Sequence, residues 1–354
     1  MATSIVTRVY RRGVALIACS RCGERLDAVA RFCGACGAEI TDPNIQRTVA
    51  GRYVLRERIA SGSLGIVYRA DQIGTGRKLA VKMLPADANR DAQTVERFRR
   101  EGEVLCKLRS PHTVTTYEFD REPDGALFIA MELVSGRSLA ELLRVDGPID
   151  WNRALRIMAG LCDSLGEAHE LGVVHRDLRP ENVLVESRPG HRDFVKVLDF
   201  GLAKLLSASV QLSPVGMTVG TIEYSSPELL QSRPLDGRSD LYSLGIVGYL
   251  AVTGRHPLAE ARSYGDLVAA HIQHVPAPAS SVRPGLPPEV DEILARCLAK
   301  LPEQRYPSAA ALAATLNVAL AHGPAEDKGE TLQEPQLPIE EEDTALGPMP
   351  PQRE

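Results

Sequence analysis

Asp177, Asn182 and Asp199 are oxygen-bearing side chains set around two short apolar runs, Val183-Leu184-Val185 and Phe194-Val195-Lys196-Val197-Leu198. The runs are rich in β-branched residues and separated by Ser187, Pro189 and Gly190, which reads as a hairpin. A hairpin brings its open ends together. Asp177 and Asn182 on the entering side therefore fall beside Asp199 on the leaving side, and two carboxylates and an amide share one small volume. Hard oxygen ligands of this kind suit Mg²⁺, which takes few protein ligands and fills its shell with phosphate oxygens. One carboxylate remains as a base.

The elements that must position this group are legible in outline. Lys78-Leu79-Ala80-Val81-Lys82 alternates as a strand and places Ala80 and Lys82 on one face. In residues 95–105, Glu101 lies three residues after Phe98 and four before Leu105, on the inward face of a helix, whereas Glu96 and Glu103 fall off it. Trp151–Leu171 carries Leu155, Met158, Leu161 and Leu165 at helical spacing, so it is expected to be a long helix leading into the Asp177 loop.

His175-Arg176-Asp177 with Asn182 five residues on, followed by Asp199-Phe200-Gly201, matches the two linked motifs of protein kinases. The chain resembles a Hanks-type bacterial serine/threonine protein kinase over about residues 51–321. The resemblance implies an α+β bilobal fold with a β-rich small lobe and a mostly helical large lobe. It implies ATP and Mg²⁺, with Mn²⁺ as an alternative metal, and protein substrates phosphorylated on serine or threonine. Asp177 maps onto the general base, Asn182 and Asp199 onto the metal ligands, and Lys82 with its ion-pair partner Glu101 onto the phosphate grip.

Residues Ala60, Ser61, Gly62, Ser63, Gly65 and Val67 resemble the glycine-rich loop over the phosphates, with Ala60 in place of the first glycine. By the same resemblance Met131 borders the adenine pocket, the backbone of Glu132 and Val134 bonds the base, and Val67, Ala80 and Leu184 form its apolar walls. Arg179 stands where lysine is usual; it keeps the charge near the γ-phosphate in a planar fork. Residues 202–228 are the activation segment, with Ser226 where alanine is usual. Thr218, Ser213 and Thr221 are its candidate phosphosites, Thr218 first, since an added phosphate could pair with Arg176. Asp240 maps onto the aspartate that anchors the catalytic loop, and Arg305 onto the partner of Glu228. The alternative is a pseudokinase scaffold or adaptor, in which Ala60, Arg179 and Ser226 mark decay.

Cys19-x-x-Cys22-Gly23 and Cys33-x-x-Cys36-Gly37 form a second constellation, with ten residues between the pairs. Two-residue spacing turns both thiolates of a knuckle toward one tetrahedral cation, so a short zinc ribbon with structural Zn²⁺ is expected. A segment this small has no core of its own, and metal would supply most of its folding free energy. Redox disulfides and incidental thiols are the competing readings. Thiolates kept for metal imply a reducing, cytoplasmic address. The ribbon's few aromatics and scattered arginines argue for a protein partner over nucleic acid. Cys106, Cys162 and Cys297 stand singly in apolar surroundings as core residues.

The 354 residues carry 44% hydrophobic and 25% charged side chains, ordinary for a globular protein, and a net charge of −5 that disfavours wholesale nucleic-acid binding. No apolar run reaches the roughly 18–20 residues of a membrane span, and the short run before Cys19 falls below a signal-peptide core of about seven. The expected organisation is an extension over 1–18, a ribbon over 19–40, a linker over 41–50, a small lobe over 51–133 and a large lobe over 134–322. Residues 323–354, with nine acids against Lys328 and Arg353, close the chain as a disordered tail. Oligomeric state is not encoded in any of these features.

Overall fold

The structure, a computed structural model, describes residues 16–18, 21–27, 32–37, 42–62, 65–84, 96, 102–189, 191–200 and 222–322. The chain divides into two units, Met1–His322 and Gly323–Glu354, and every described residue lies in the first.

Strands β1 (Leu16–Ala18) and β2 (Arg25–Asp27) pair antiparallel near the N-terminus. The main sheet holds six strands: β3 (Thr48–Val49), β4 (Tyr53–Gly62), β5 (Gly65–Gln72), β6 (Lys78–Met83), β7 (Thr116–Arg121) and β8 (Leu127–Met131). Their order is β3-β4-β5-β6-β8-β7, and every pairing is antiparallel. Leu55, Tyr68, Leu79, Val81 and Phe128 alternate onto one face and are buried there, the period-2 burial that fixes register. The β4–β5 turn needs Gly65: its φ is +129°, and a Cβ there would stand 2.2 Å from the Met83 carbonyl oxygen.

Residues 42–50 do not behave as the linker expected over 41–50. Leu55 N donates to Arg47 O at 2.9 Å, Gln46 N to Leu55 O at 2.8 Å, and β3 extends the sheet. The Asp42 carboxylate accepts from Arg58 and, at 2.9 Å, from Tyr68 Oη, while buried Glu122 accepts from Arg47 and the Ala50 amide. The polar side chains and amides of this stretch are satisfied by partners on the sheet.

After β8 the chain becomes mainly helical. Strand β9 (Arg137–Ser138) leads into α1 (Leu139–Asp146), where the Ser138 hydroxyl caps the Glu141 amide. Helix α2 (Trp151–Glu170) is capped by Asp150 and buries Leu155, Met158, Leu161 and Leu165, the face expected from their spacing. Strands β10 (Val183–Arg188) and β11 (His191–Val197) form the expected hairpin, with β9 on the far edge of β10. Helix α3 (Arg238–Thr253) is buried on nearly every side and ends at Gly254 in the left-handed conformation. Helices α4 (Pro288–Cys297) and α5 (Ala309–His322) complete this core, which also takes in Cys162 and Cys297, with Cys106 packed against its edge. Among the described residues no helix is long and apolar enough to cross a membrane.

Candidate active site

Asp177 and Asn182 sit on the loop between α2 and β10, and Asp199 follows β11 by two residues. The hairpin closes as the sequence requires: Val183 pairs with Val197, and Leu198 N donates to Asn182 O at 2.9 Å. Asn182 Nδ2 donates to the Asp177 carbonyl at 2.8 Å and to Asp177 Oδ2 at 3.2 Å. Its nitrogen is thus committed to Asp177, and its oxygen remains as the atom a cation would use. Lys82 crosses from β6 to place Nζ 2.6 Å from Asp199 Oδ2, with its own side chain 6% exposed.

The loop around Asp177 is held in an uncommon conformation. Arg176 has φ 68° and Asp199 φ 62°, both in the left-handed region. For a non-glycine residue that costs on the order of 1–3 kcal/mol, so neighbours must impose it. Asp240, from the first turn of α3 and 1% exposed, accepts from His175 N at 2.8 Å, Arg176 N at 2.9 Å and His169 Nε2 at 2.8 Å. His175 in turn sets Nε2 2.8 Å from Leu198 O and packs its ring 4.7 Å from that of Phe200. The loop and the segment entering Asp199 are therefore tied to one buried carboxylate and one imidazole.

Burial raises the Asp177 pKa, and the Asp199 charge adds to the rise; Arg179, His175 and Asn182 oppose it without cancelling it. Asp177 Oδ1 is buried and accepts no hydrogen bond among the described residues. An orphaned acceptor is costly, and an incoming hydroxyl or water donor would satisfy it. Arg179 does not reproduce the simple point charge of a lysine. Its Nε donates to Glu181 Oε2 at 2.7 Å and its guanidinium stands 6.0 Å from the Tyr224 ring, while burial works against its charge and Glu181 more than compensates, raising its pKa.

On the other side of the cleft Ala80, Met131 and Val114 cluster with Val67, Leu133, Val134 and Leu198 packed against them. Leu184 lies on β10, paired with Lys196 and Ser138. A cavity beside Met131 is lined by Leu105, Phe119, Ile129, Val197, Phe200 and Asp199, giving Asp199 an apolar floor. Ala60 pairs with Val67 and Ser61 with Ile66 at the base of the β4–β5 turn. Ser63, Glu101 and the candidate phosphosites Ser213, Thr218 and Thr221 lie outside the described residues. Glu96 is exposed, as its place off the apolar face requires. The expected Arg305–Glu228 pair is bidentate at 2.7 and 2.9 Å and lies in the core.

Sequence reasoning missed three participants. The His175 imidazole and Phe200 ring give no signal beyond motif membership. Lys196 reads as one more polar residue in a strand, yet it is 5% exposed and sets Nζ 2.7 Å from Glu132 Oε2 and 3.2 Å from Thr113 O. Glu132 also accepts from Thr115 N at 3.1 Å. Burial pushes its carboxyl pKa up, but the Lys196 ammonium and the Thr115 amide outweigh burial and leave it lowered.

Near the N-terminus the Sγ atoms of Cys22, Cys33 and Cys36 all lie within 4.8 Å of one another, with Cys22 and Cys33 at 3.6 Å and Cys33 buried. Gly23 and Gly37, each directly after a cysteine pair, have φ 73° and 70°, a left-handed turn that glycine adopts without steric cost. Cys19 lies outside the described residues.

The family described as "Protein kinase domain" matches residues 53–316. The serine/threonine-protein kinase pkn3 of Myxococcus xanthus is 38% identical over 281 residues, 78% of this chain and 51% of that protein. The serine/threonine-protein kinase PknB of Mycobacterium leprae is 34% identical over 271 residues, 76% of this chain and 43% of its own. The chain thus spans about half the length of the curated relatives it matches. Among solved structures, the crystal structure of the Mycobacterium tuberculosis PknI kinase domain is 28% identical with a TM-score of 0.61, covering 78% of this chain and 99% of that one. With its small-lobe sheet, helical large lobe and the cleft residues just described, the chain belongs to the protein kinase domain family.

Proposed function

We propose that this chain transfers the γ-phosphate of ATP to serine and threonine hydroxyls of protein substrates. The carrying observation is the convergence of Lys82, Asp199, Asn182 and Asp177, from three separate stretches of sequence, with the buried Asp177 Oδ1 left as an unused acceptor. The Asp199 carboxylate and the Asn182 amide oxygen would hold Mg²⁺, which would supply positive charge against the nucleotide phosphates. Lys82 supplies a cation for the α- and β-phosphates. Arg179 supplies one for the phosphoryl group in transfer.

Asp177 orients the acceptor hydroxyl and takes its proton while the hydroxyl oxygen bonds phosphorus and the β–γ bridge breaks to release ADP. Its pKa, raised chiefly by burial, makes it a stronger base than a solvated carboxylate. Two further assignments rest on sequence: Glu101 as the partner of Lys82 in the active state, and autophosphorylation within the activation segment, residues 202–228, Thr218 first. The clustered thiolates of Cys22, Cys33 and Cys36, with Cys19 as the fourth ligand, support a structural Zn²⁺ site and a ribbon that binds a protein partner. Transfer of labelled phosphate from Mg·ATP to a generic serine/threonine acceptor, lost in Asp177→Asn, is the expected result. Equal transfer by Asp177→Asn would overturn the assignment.

A further inference from the structure

We infer that Lys196 and Glu132 form a positioning pair that fixes the base-binding edge of the nucleotide cleft onto the strand leading to Asp199. This rests on the ATP-site reading above. Glu132 directly follows β8, at the crossing between the lobes, and Lys196 lies on β11, three residues before Asp199. Their side chains meet at 2.7 Å although 64 residues separate them in sequence, and their exposures are only 24% and 6%.

The pair is the centre of a knot of three segments. Lys196 Nζ also donates to Thr113 O, and Glu132 Oε2 also accepts from Thr115 N. Glu132 N donates to Thr115 O at 2.8 Å. The next residue of β11, Val197, bridges Thr113 in parallel, accepts from Val114 N at 2.9 Å and donates to His112 O at 2.8 Å. Segment 112–115, the interlobe crossing and β11 therefore move as one block. Because the Glu132 amide is already committed to Thr115, the base edge falls to the Glu132 carbonyl and the Val134 amide, and their direction depends on how Glu132 is held.

Desolvating two charges gains little stability over a neutral pair of similar size, so the use of ions here points to geometry. A carboxylate accepting from two directions and an ammonium donating in two directions specify one orientation of the crossing. Neutral side chains of the same bulk would fill the space and leave that orientation free to drift.

The test uses the full chain carrying Glu132→Gln with Lys196→Met, which leaves no buried charge unpaired. Calorimetry measures adenosine, which reports the base edge, and Mg·pyrophosphate, which reports the phosphate end. We expect the double variant to melt within a few degrees of wild type, to bind adenosine about tenfold more weakly, and to bind Mg·pyrophosphate within about twofold. Lys196→Met alone, leaving Glu132 uncompensated, melts lower than the double variant. Unchanged adenosine affinity in the folded double variant would overturn the inference, as would an equal loss for both ligands. Failure of wild type to bind either ligand would instead overturn the nucleotide-site reading.

Discussion

Asp240→Asn perturbs the catalytic loop without touching substrate. The carboxylate is 1% exposed and accepts three hydrogen bonds, from the His175 and Arg176 amides and from His169 Nε2. An asparagine of equal size keeps one acceptor oxygen and turns an NH₂ toward groups that are themselves donors. Hydrogen bonds to a charged group contribute about 1.5–3 kcal/mol each, so losing one or two costs about 1.5–6 kcal/mol of folding stability. The lost hold also falls on Arg176, whose φ of 68° its neighbours must impose. Relaxing strain of about 1–3 kcal/mol at the residue preceding Asp177 displaces the base, and each 1.4 kcal/mol of that appearing in the barrier is about tenfold in rate. We therefore predict kcat reduced about 10- to 100-fold with KM for ATP changed less than about threefold, since the base edge does not contact Asp240. Steady-state transfer of labelled phosphate, with circular dichroism as the folding control, measures both. A folded Asp240→Asn protein with kcat within about twofold of wild type would refute the reasoning.

Two further outcomes follow from buried charge. Within the large lobe, burial raises the Glu228 pKa, but two bonds from Arg305 and one from Ser239 outweigh it, so the carboxyl titrates below its unfolded value. Its stabilisation is then complete above the unfolded pKa of about 4.3 and is lost as pH falls through the lower folded value. Glu228→Gln should lose about 3–5 kcal/mol at neutral pH and show a flatter acid limb in a denaturant-against-pH series; identical limbs would contradict this. At the N-terminus, elemental analysis of the purified chain should find about one zinc per molecule, reduced by Cys33→Ser, with kinase activity within about twofold of wild type. No bound metal in a reduced, zinc-replete preparation would remove the ribbon assignment.

The hairpin and the α2 face were legible because each is carried by a local pattern, β-branched runs broken by turn residues in the one and helical spacing in the other; the 2.6 Å meeting of Lys82 with Asp199 was not, since 117 residues separate them. The Asp240 and Arg305 anchors were legible only through family resemblance. What the sequence hid are pairs between ordinary polar residues far apart in the chain. Asp42 with Arg58 and Tyr68, Glu122 with Ala50, and Lys196 with Glu132 look solvated one at a time. Their burial follows from the packing of strands whose order no local pattern states, and for this reason residues 42–50 read as a linker. Arg179 shows the same limit: its identity was plain, but its engagement by Glu181 depends on the backbone course of the loop.

The central claim is that Asp199, held 2.6 Å from Lys82, organises phosphate transfer to protein hydroxyls. The most direct measurement follows radiolabelled γ-phosphate from Mg·ATP into a protein acceptor, with phosphoamino-acid analysis of the product, for wild type and Asp199→Asn side by side. The account predicts label on serine and threonine with wild type and a loss of at least about a hundredfold in the variant. Label transferred equally by both proteins, or by neither at any magnesium concentration, would contradict it.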